Sequence, residues 1–312
     1  MATHQPHTHQ HGHVQLDEAH WAAFAADTEL EGELLLAFVT DTASRVTELR
    51  GSAAPPVRRI LDIGSGPGVG TCELAKLFPD AHVTAVDGSP AMLDRARERA
   101  KAGDLDDRIS THLAELPGGL DGFEPVDLIW ASMALHHVGD ETSVLRILGE
   151  LLEPSGLIAI VELGESMRVL PDDLDIGRPG LNDRLGRAGE TWFTSMREGL
   201  TDTVASTDLA SMVTSAGLEI VDTRLAGLRF DPPLSDDARR VVVAHLRRLG
   251  AHLEDQLDDE DLDTFERLND PDDPRGAMHR SDVFIATSRQ ILIARRRGTT
   301  GSDDGGGPIV AC

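Results

Sequence analysis

The chain is expected to fold as a doubly wound α/β domain, with a mostly parallel, seven-stranded sheet covered by helices on both faces. Three observations predict this fold. Short apolar runs alternate with amphipathic helices, the runs are apolar on both faces, and a glycine-rich turn joins the first run to the first helix after it. A strand without a polar face has to be covered on both sides, and only crossover helices do that for parallel neighbours. A helical lead-in and helical insertions complete the expected architecture.

The elements follow in chain order. Residues 1–14 are polar and rich in histidine (His4, His7, His9, His11, His13), offer nothing to a core, and are expected to form a disordered tail. Apolar residues then recur at helical spacing from Trp21 through Phe24, Leu30, Leu34, Leu35, Phe38 and Val46 to Leu49, which predicts a helical lead-in over 15–50. Strands are predicted near 58–63, 82–87, 108–113, 126–131 and 157–163, with helices near 70–78, 89–101 and 141–152 between them. Ser89 and Pro90 read as an N-cap and a first-turn proline ahead of Met92, Leu93 and Ala96, while Pro154 and Gly156 separate a helix from the fifth strand. Ser206 or Thr207 is expected to cap a helix stopping at Gly217, and 218–230 to form a strand. Residues 235–268, helical and strongly charged, read as an insertion; 283–294 read as a last strand, or as two with a bend. Residues 298–312 form a second loose tail.

Composition excludes several roles. A net charge of -25 over 312 residues repels a phosphate backbone, and only the short Arg295–Arg297 run is locally basic, so nucleic acid is not an expected partner. No run of about eighteen apolar residues occurs and the N-terminus lacks a secretion leader, which predicts a cytoplasmic protein with no membrane partner. Cys72 and Cys312 show no metal or redox spacing, and no carboxylate or cysteine completes a site among the tail histidines, so no metal is expected. With no tyrosine in the chain, mechanisms needing a phenolic base are excluded. The sequence leaves the oligomeric state open.

The segment that carries chemistry is ILDIGSGPGVGTCELAKLFPDAHVTAVD, residues 60–87. A strand ending in Asp62 runs into Gly64, Gly66 and Gly68, where missing side chains let the backbone turn tightly and approach a ligand. The next strand ends in Asp87, a carboxylate placed to accept hydrogen bonds from both hydroxyls of a ribose. A dinucleotide fingerprint would need its third glycine at position 69, which is Val69, and no Gly-Lys-Ser/Thr follows to make a phosphate-binding loop. An acid at Asp62 would also repel a pyrophosphate. It suits a cationic nucleoside such as S-adenosylmethionine (AdoMet), which carries an ammonium and a sulfonium and no phosphate.

DIGSGPG followed by VTAVDGSPAML, and then LAELP, VDLIWASMALHHVGD and LLEPSGLIAIVE, resembles the class I AdoMet-dependent methyltransferases. The resemblance is strong over 57–163, which it makes the AdoMet-binding core, and loose over 206–297. It implies a Rossmann-like sheet, AdoMet as cofactor and methyl transfer as the activity. It further implies that Asp62, Gly64, Ser65, Gly66 and Gly68 surround the amino-acid end of the cofactor and that Asp87 holds the ribose. Gly88 and Met92 would lie along the adenine edge, with His112, Leu113 and Ala114 beside it, and Ala131, just past the fourth strand, would line the methyl end. His112 stands where the family often has an acid.

Plainer readings stand beside these. The glycines also suit a structural strand-to-helix turn, Asp87 a helix-capping residue near Ser89, and Met92 the core face of a helix. His136 and His137 follow the fourth strand, where a satisfied histidine at a helix start is the favoured reading and a general base the alternative; Glu162 at the end of the fifth strand is a weaker base candidate. The segment 164–205, with Met167, Trp192, Phe193 and Met196 among Arg178, Arg184 and Arg187, is expected to cap the substrate, or else to be ordinary packed helix. With nucleic acid excluded by charge, a small-molecule acceptor leads. A nicotinamide-dependent oxidoreductase and a non-catalytic AdoMet-binding regulator remain as alternatives.

Overall fold

The computed structural model describes residues 18–198 and 208–297. The two expected tails lie outside the described residues, as do Ser206, Thr207 and the side chain of Met196.

Seven strands form one sheet in the order β3-β2-β1-β4-β5-β7-β6. They are β1 (Arg59–Ile63), β2 (His82–Asp87), β3 (Ile109–Leu113), β4 (Val126–Ser132), β5 (Leu152–Leu163), β6 (Leu218–Phe230) and β7 (Ile285–Arg296). The first five strands pair in parallel, and β7 runs antiparallel between β5 and β6. The chain leaves β1 outward to β2 and β3, then returns to start β4 on the other side of β1. The crevice at the carboxyl ends of β1 and β4 is therefore the switch point where an open α/β sheet receives ligands.

Two helices lead in, α1 (Glu18–Leu34) and α2 (Leu36–Arg50), and α3 (Val69–Leu77), α4 (Pro90–Ala102) and α5 (Glu141–Glu150) follow β1, β2 and β4. Beyond β5 come α6 (Leu181–Glu198) and α7 (Leu209–Ser215), and α8 (Asp236–Leu253) and α9 (Asp259–Asn269) lie between β6 and β7. Helix α1 bridges two parts of the molecule: Glu29 and Glu33 pair with Arg95 and Arg99 of α4, while Asp27 and Glu31 pair with Arg247 and Arg248 of α8. Its Gly32 allows close approach, since a Cβ there would stand 3.3 Å from Val69 at the start of α3.

One face of the sheet buries Leu61, Ile63, Ala131, Ile158 and Ile160 against α5 and α7. The other buries Ile60, Trp130, Ala159, Ile291 and Ile293 against α2 and α3. A further core, built from Leu35, Phe38, Val241, Leu246, Phe265 and their neighbours, joins the lead-in to α6, α8 and α9.

Two local expectations need correction, and one open reading is resolved. Strand β5 begins at Leu152 and runs through Pro154 and Gly156, because its register against β4 shifts between Val126 and Leu128, and an irregular ladder accommodates a residue with no N–H. Of the two readings of 283–294, the single last strand is the one found: β7 pairs with β6 along its length, with one register shift between Ile220 and Asp222. Helix α7 is capped by Asp208, whose carboxylate accepts from the Ala210 N–H, one residue beyond the threonine expected there.

Candidate active site

The turn after β1 is stitched to β2: the N–H groups of Gly64 and Ser65 both donate to the Val86 carbonyl, at 2.8 and 3.1 Å. Its three glycines have positive φ (66°, 52° and 80° at 64, 66 and 68), which other residues adopt only with strain. They differ in what surrounds them. A Cβ on Gly64 would lie 2.5 Å from that of Ala134, and one on Gly68 2.7 Å from that of Ala96, so both are fixed by close packing. A Cβ on Gly66 would meet nothing within 4 Å, so that glycine keeps backbone open toward the crevice. Gly68 is also the N-cap of α3, the helix end whose dipole faces the turn.

Asp62 is 3% exposed and accepts a 2.6 Å bond from the Thr71 hydroxyl. Burial pushes its carboxyl up to about 7; the Thr71 bond opposes that shift and the nearby Asp87 adds to it. Asp87 spends one lone pair of each oxygen on the turn, accepting from the Gly66 N–H at 2.9 Å and the Ser89 N–H at 2.8 Å. Each carboxylate oxygen accepts two bonds, so capacity for two hydroxyls remains. Ser89 caps α4 by accepting from the Met92 N–H, with Pro90 in the first turn. The Ser65 hydroxyl is buried with no hydrogen-bond partner among the described residues.

The remaining expected contacts are distributed unevenly. Gly88 links Asp87 to the cap of α4, and Met92 is buried on the inner face of that helix beside Leu93 and Ala96. Leu113, at the end of β3 and paired with Asp87, is 56% exposed, an apolar surface beside the crevice. His112 donates from Nε2 to the Gly119 carbonyl at 2.7 Å and meets Phe123 edge-on, which ties that nitrogen to the following loop instead of to a ligand. The Ala114 N–H is likewise taken, by the Asp87 carbonyl. Ala131 is a correction: it lies inside β4, paired with Ile63 and Ile160, and its side chain is sealed in the core. The chain emerges from β4 one residue later, at Ser132.

Past β4, Met133 takes φ 54° and a short 3-10 turn spans Leu135–His137. Glu162 holds this turn from the tip of β5. One carboxylate oxygen accepts from the N–H groups of Ala134 and Leu135 at 3.2 and 2.9 Å, and the other lies 2.7 Å from His136 Nδ1. His137 stacks obliquely on His136, and Phe193 of α6 approaches to 6.4 Å between ring centroids, which brings α6 over this corner. Trp192 instead stacks on His252, and Met167 packs in the core shared by α6 and α8. Arg178 and Arg184 do not face the crevice; both pair with buried Asp261 of α9.

Residues 61–158 match the model of a family described as a methyltransferase domain. Over those residues the chain is similar to that family. Among its relatives, trans-aconitate 2-methyltransferase of Paracidovorax citrulli is 40% identical over 101 residues, 32% of this chain and 37% of that protein. The enzyme of the same name in Methylobacterium radiotolerans is 36% identical over 141 residues, 42% of this chain and 52% of that protein. The chain therefore spans about half or less of the curated relatives it matches. An AdoMet-dependent methyltransferase of Thiobacillus denitrificans, solved with S-adenosyl-L-homocysteine, is 19% identical, with 83% of this chain and 90% of that one covered and a TM-score of 0.47. The geometry of the crevice fits AdoMet: a Ser65 hydroxyl without a partner among the described residues, open backbone at Gly66, a buried acid and a ribose-competent acid surround it.

Proposed function

We propose that this protein is an AdoMet-dependent methyltransferase acting on a small-molecule acceptor. The observation that carries the reading is Asp62, a buried carboxylate beside close-approach backbone, which favours a cation and disfavours a pyrophosphate. When bound, AdoMet supplies an electrophilic methyl carbon on a sulfonium that leaves as a neutral thioether. Asp62 and the turn from Gly64 to Gly68 hold its amino-acid end, Asp87 holds the ribose hydroxyls, and Leu113 covers one side of the base. The protein's main work is to align the acceptor with the methyl carbon, about 3 Å away and in line with the departing sulfur.

His136 takes the acceptor's proton. The ring stands 2.7 Å from Glu162 through Nδ1, at the carboxyl edge of β4 and the rim that faces the crevice. A base of this kind matters for a hydroxyl or a protonated amine acceptor. The acidic surface supports a small molecule over a nucleic acid, and among the described residues no helix is long and apolar enough to cross a membrane. We place the protein in the cytoplasm, where the buried free thiol of Cys72 stays reduced. The test is incubation of metabolite extracts with methyl-labelled AdoMet and identification of the labelled product by mass spectrometry. Transfer to a small molecule supports the reading. Binding of AdoMet without transfer to any acceptor points to a regulator, and NAD(P)H turnover with no effect of AdoMet on melting points to an oxidoreductase.

A further inference from the structure

Several arginines elsewhere in the structure are met by carboxylates. Arg178 and Arg184 converge on Asp261, Arg248 contacts Glu31, and Arg95 contacts Glu29. Arg289, the one arginine among the buried charged residues described, is not met in that way. It is 6% exposed, yet it forms no ion pair among the described residues. Its Nη1 donates to the Thr287 hydroxyl at 2.9 Å and the Ser288 carbonyl at 3.2 Å, and its guanidinium carbon lies 5.6 Å from the centre of the Phe38 ring. Nε and Nη2 donate to nothing among the described residues. The two carboxylates near enough to act on its charge, Glu31 and Glu162, are already engaged by Arg248 and His136.

A buried cation left this way is costly unless an anion arrives. Its position says which anion. Arg289 pairs with Leu163 at the carboxyl end of β5, one residue past Glu162, and points to the sheet face that carries Ile291, Ile293 and the lead-in helix α2. It stands at the tip of β5 against Phe38 of the lead-in, with Glu162 of the neighbouring strand near enough to act on its charge. A guanidinium fork with free Nε and Nη2 donors matches a carboxylate's two oxygens.

We propose that Arg289 anchors a carboxylate of the acceptor, so that the substrate is a small organic acid. This rests on the methyltransferase reading, and the test separates the two. In calorimetry on protein saturated with S-adenosylhomocysteine, at least one of benzoate, succinate and citrate should bind the wild type. Arg289→Gln should weaken that binding tenfold or more, while its affinity for S-adenosylhomocysteine stays within twofold and its melting temperature is unchanged or higher. Arg289→Lys, which keeps the charge and loses the fork, should fall between them and guards against a folding defect. In the labelled-product screen, the wild-type product should carry an acid group or its methyl ester, and Arg289→Gln should raise KM far more than it lowers kcat. Failure of all three acids to bind, equal binding by Arg289→Gln, or a labelled product with no acid group would overturn the assignment of Arg289 and leave methyl transfer standing. Absence of any labelled product, with acid binding intact, would instead reject the methyltransferase reading.

Discussion

Replacing Asp62 by asparagine tests the charge logic of the cofactor crevice. Burial raises this carboxyl from 3.8 to about 7, a difference worth ~4 kcal/mol between its two protonation states. Because the value is raised on folding, the stabilising effect is fully present below the unfolded value near 4 and is lost as pH rises through about 7. A cationic ligand reverses the preference, since it binds the ionised form and expels the proton. AdoMet affinity should therefore tighten about tenfold between about pH 6 and 8, and binding near pH 6 should release close to one proton. Calorimetry in two buffers of different ionisation enthalpy measures both quantities. In Asp62→Asn the proton release should vanish, and affinity at about pH 8 should fall by about 2–3 kcal/mol, or roughly 30- to 150-fold. The ligand's own titration is common to both proteins and cancels in their ratio. Without ligand, Asp62→Asn should melt higher than the wild type at pH 8. Equal affinity of the two proteins at pH 8, with no proton released by the wild type, would refute the reasoning.

Further outcomes follow from the same geometry. Gly68→Ala forces a Cβ to 2.7 Å from Ala96 and should lower the melting temperature by well over the ~2–4 °C that corresponds to ~1 kcal/mol in a domain of this size. Gly66→Ala meets no neighbour, so it should cost only its ~1 kcal/mol of backbone strain yet weaken AdoMet binding about tenfold or more, and calorimetry beside a melting curve separates the two. His136→Gln should lower kcat by about 10²- to 10⁴-fold with AdoMet affinity within about twofold, and an unchanged single-turnover rate would remove His136 from proton transfer. Asp261 is held below the usual carboxylate range by Arg184 first and then Arg178, so Asp261→Asn should destabilise by about 2–4 kcal/mol at neutral pH. Since a lowered carboxylate contributes above its unfolded value and loses that contribution as pH falls through its folded value, urea melts should show the gap closing below about pH 4.

Local pattern made much of this architecture readable. Strands β1 and β2, the turn between Asp62 and Gly68, and the Ser89–Pro90 start of α4 are each specified by residues within one turn or strand of each other, so their positions follow from the sequence. What the sequence hid depends on distant partners. His112 is a plausible ligand contact until Gly119 is seen to take its Nε2, and Arg178 and Arg184 look available until the chain brings Asp261 to them across some eighty residues. Ala131 was expected one residue too far along because β4 extends to Ser132, a boundary set by its pairing with Val161. Arg289 and Gln290 do interrupt an apolar strand, which is a visible signal, but only the fold reveals that the guanidinium is buried without a carboxylate. Glu162 read as a lone acid, whereas it organises the turn that carries His136.

The most direct test of the central claim is a crystal structure of the protein with S-adenosylhomocysteine. The ligand should lie across the carboxyl ends of β1, β2 and β4, with its ribose hydroxyls on Asp87 and its amino-acid end along the turn beside Asp62. A ligand bound elsewhere, with that crevice unused or filled by a dinucleotide when one is supplied, would contradict the account.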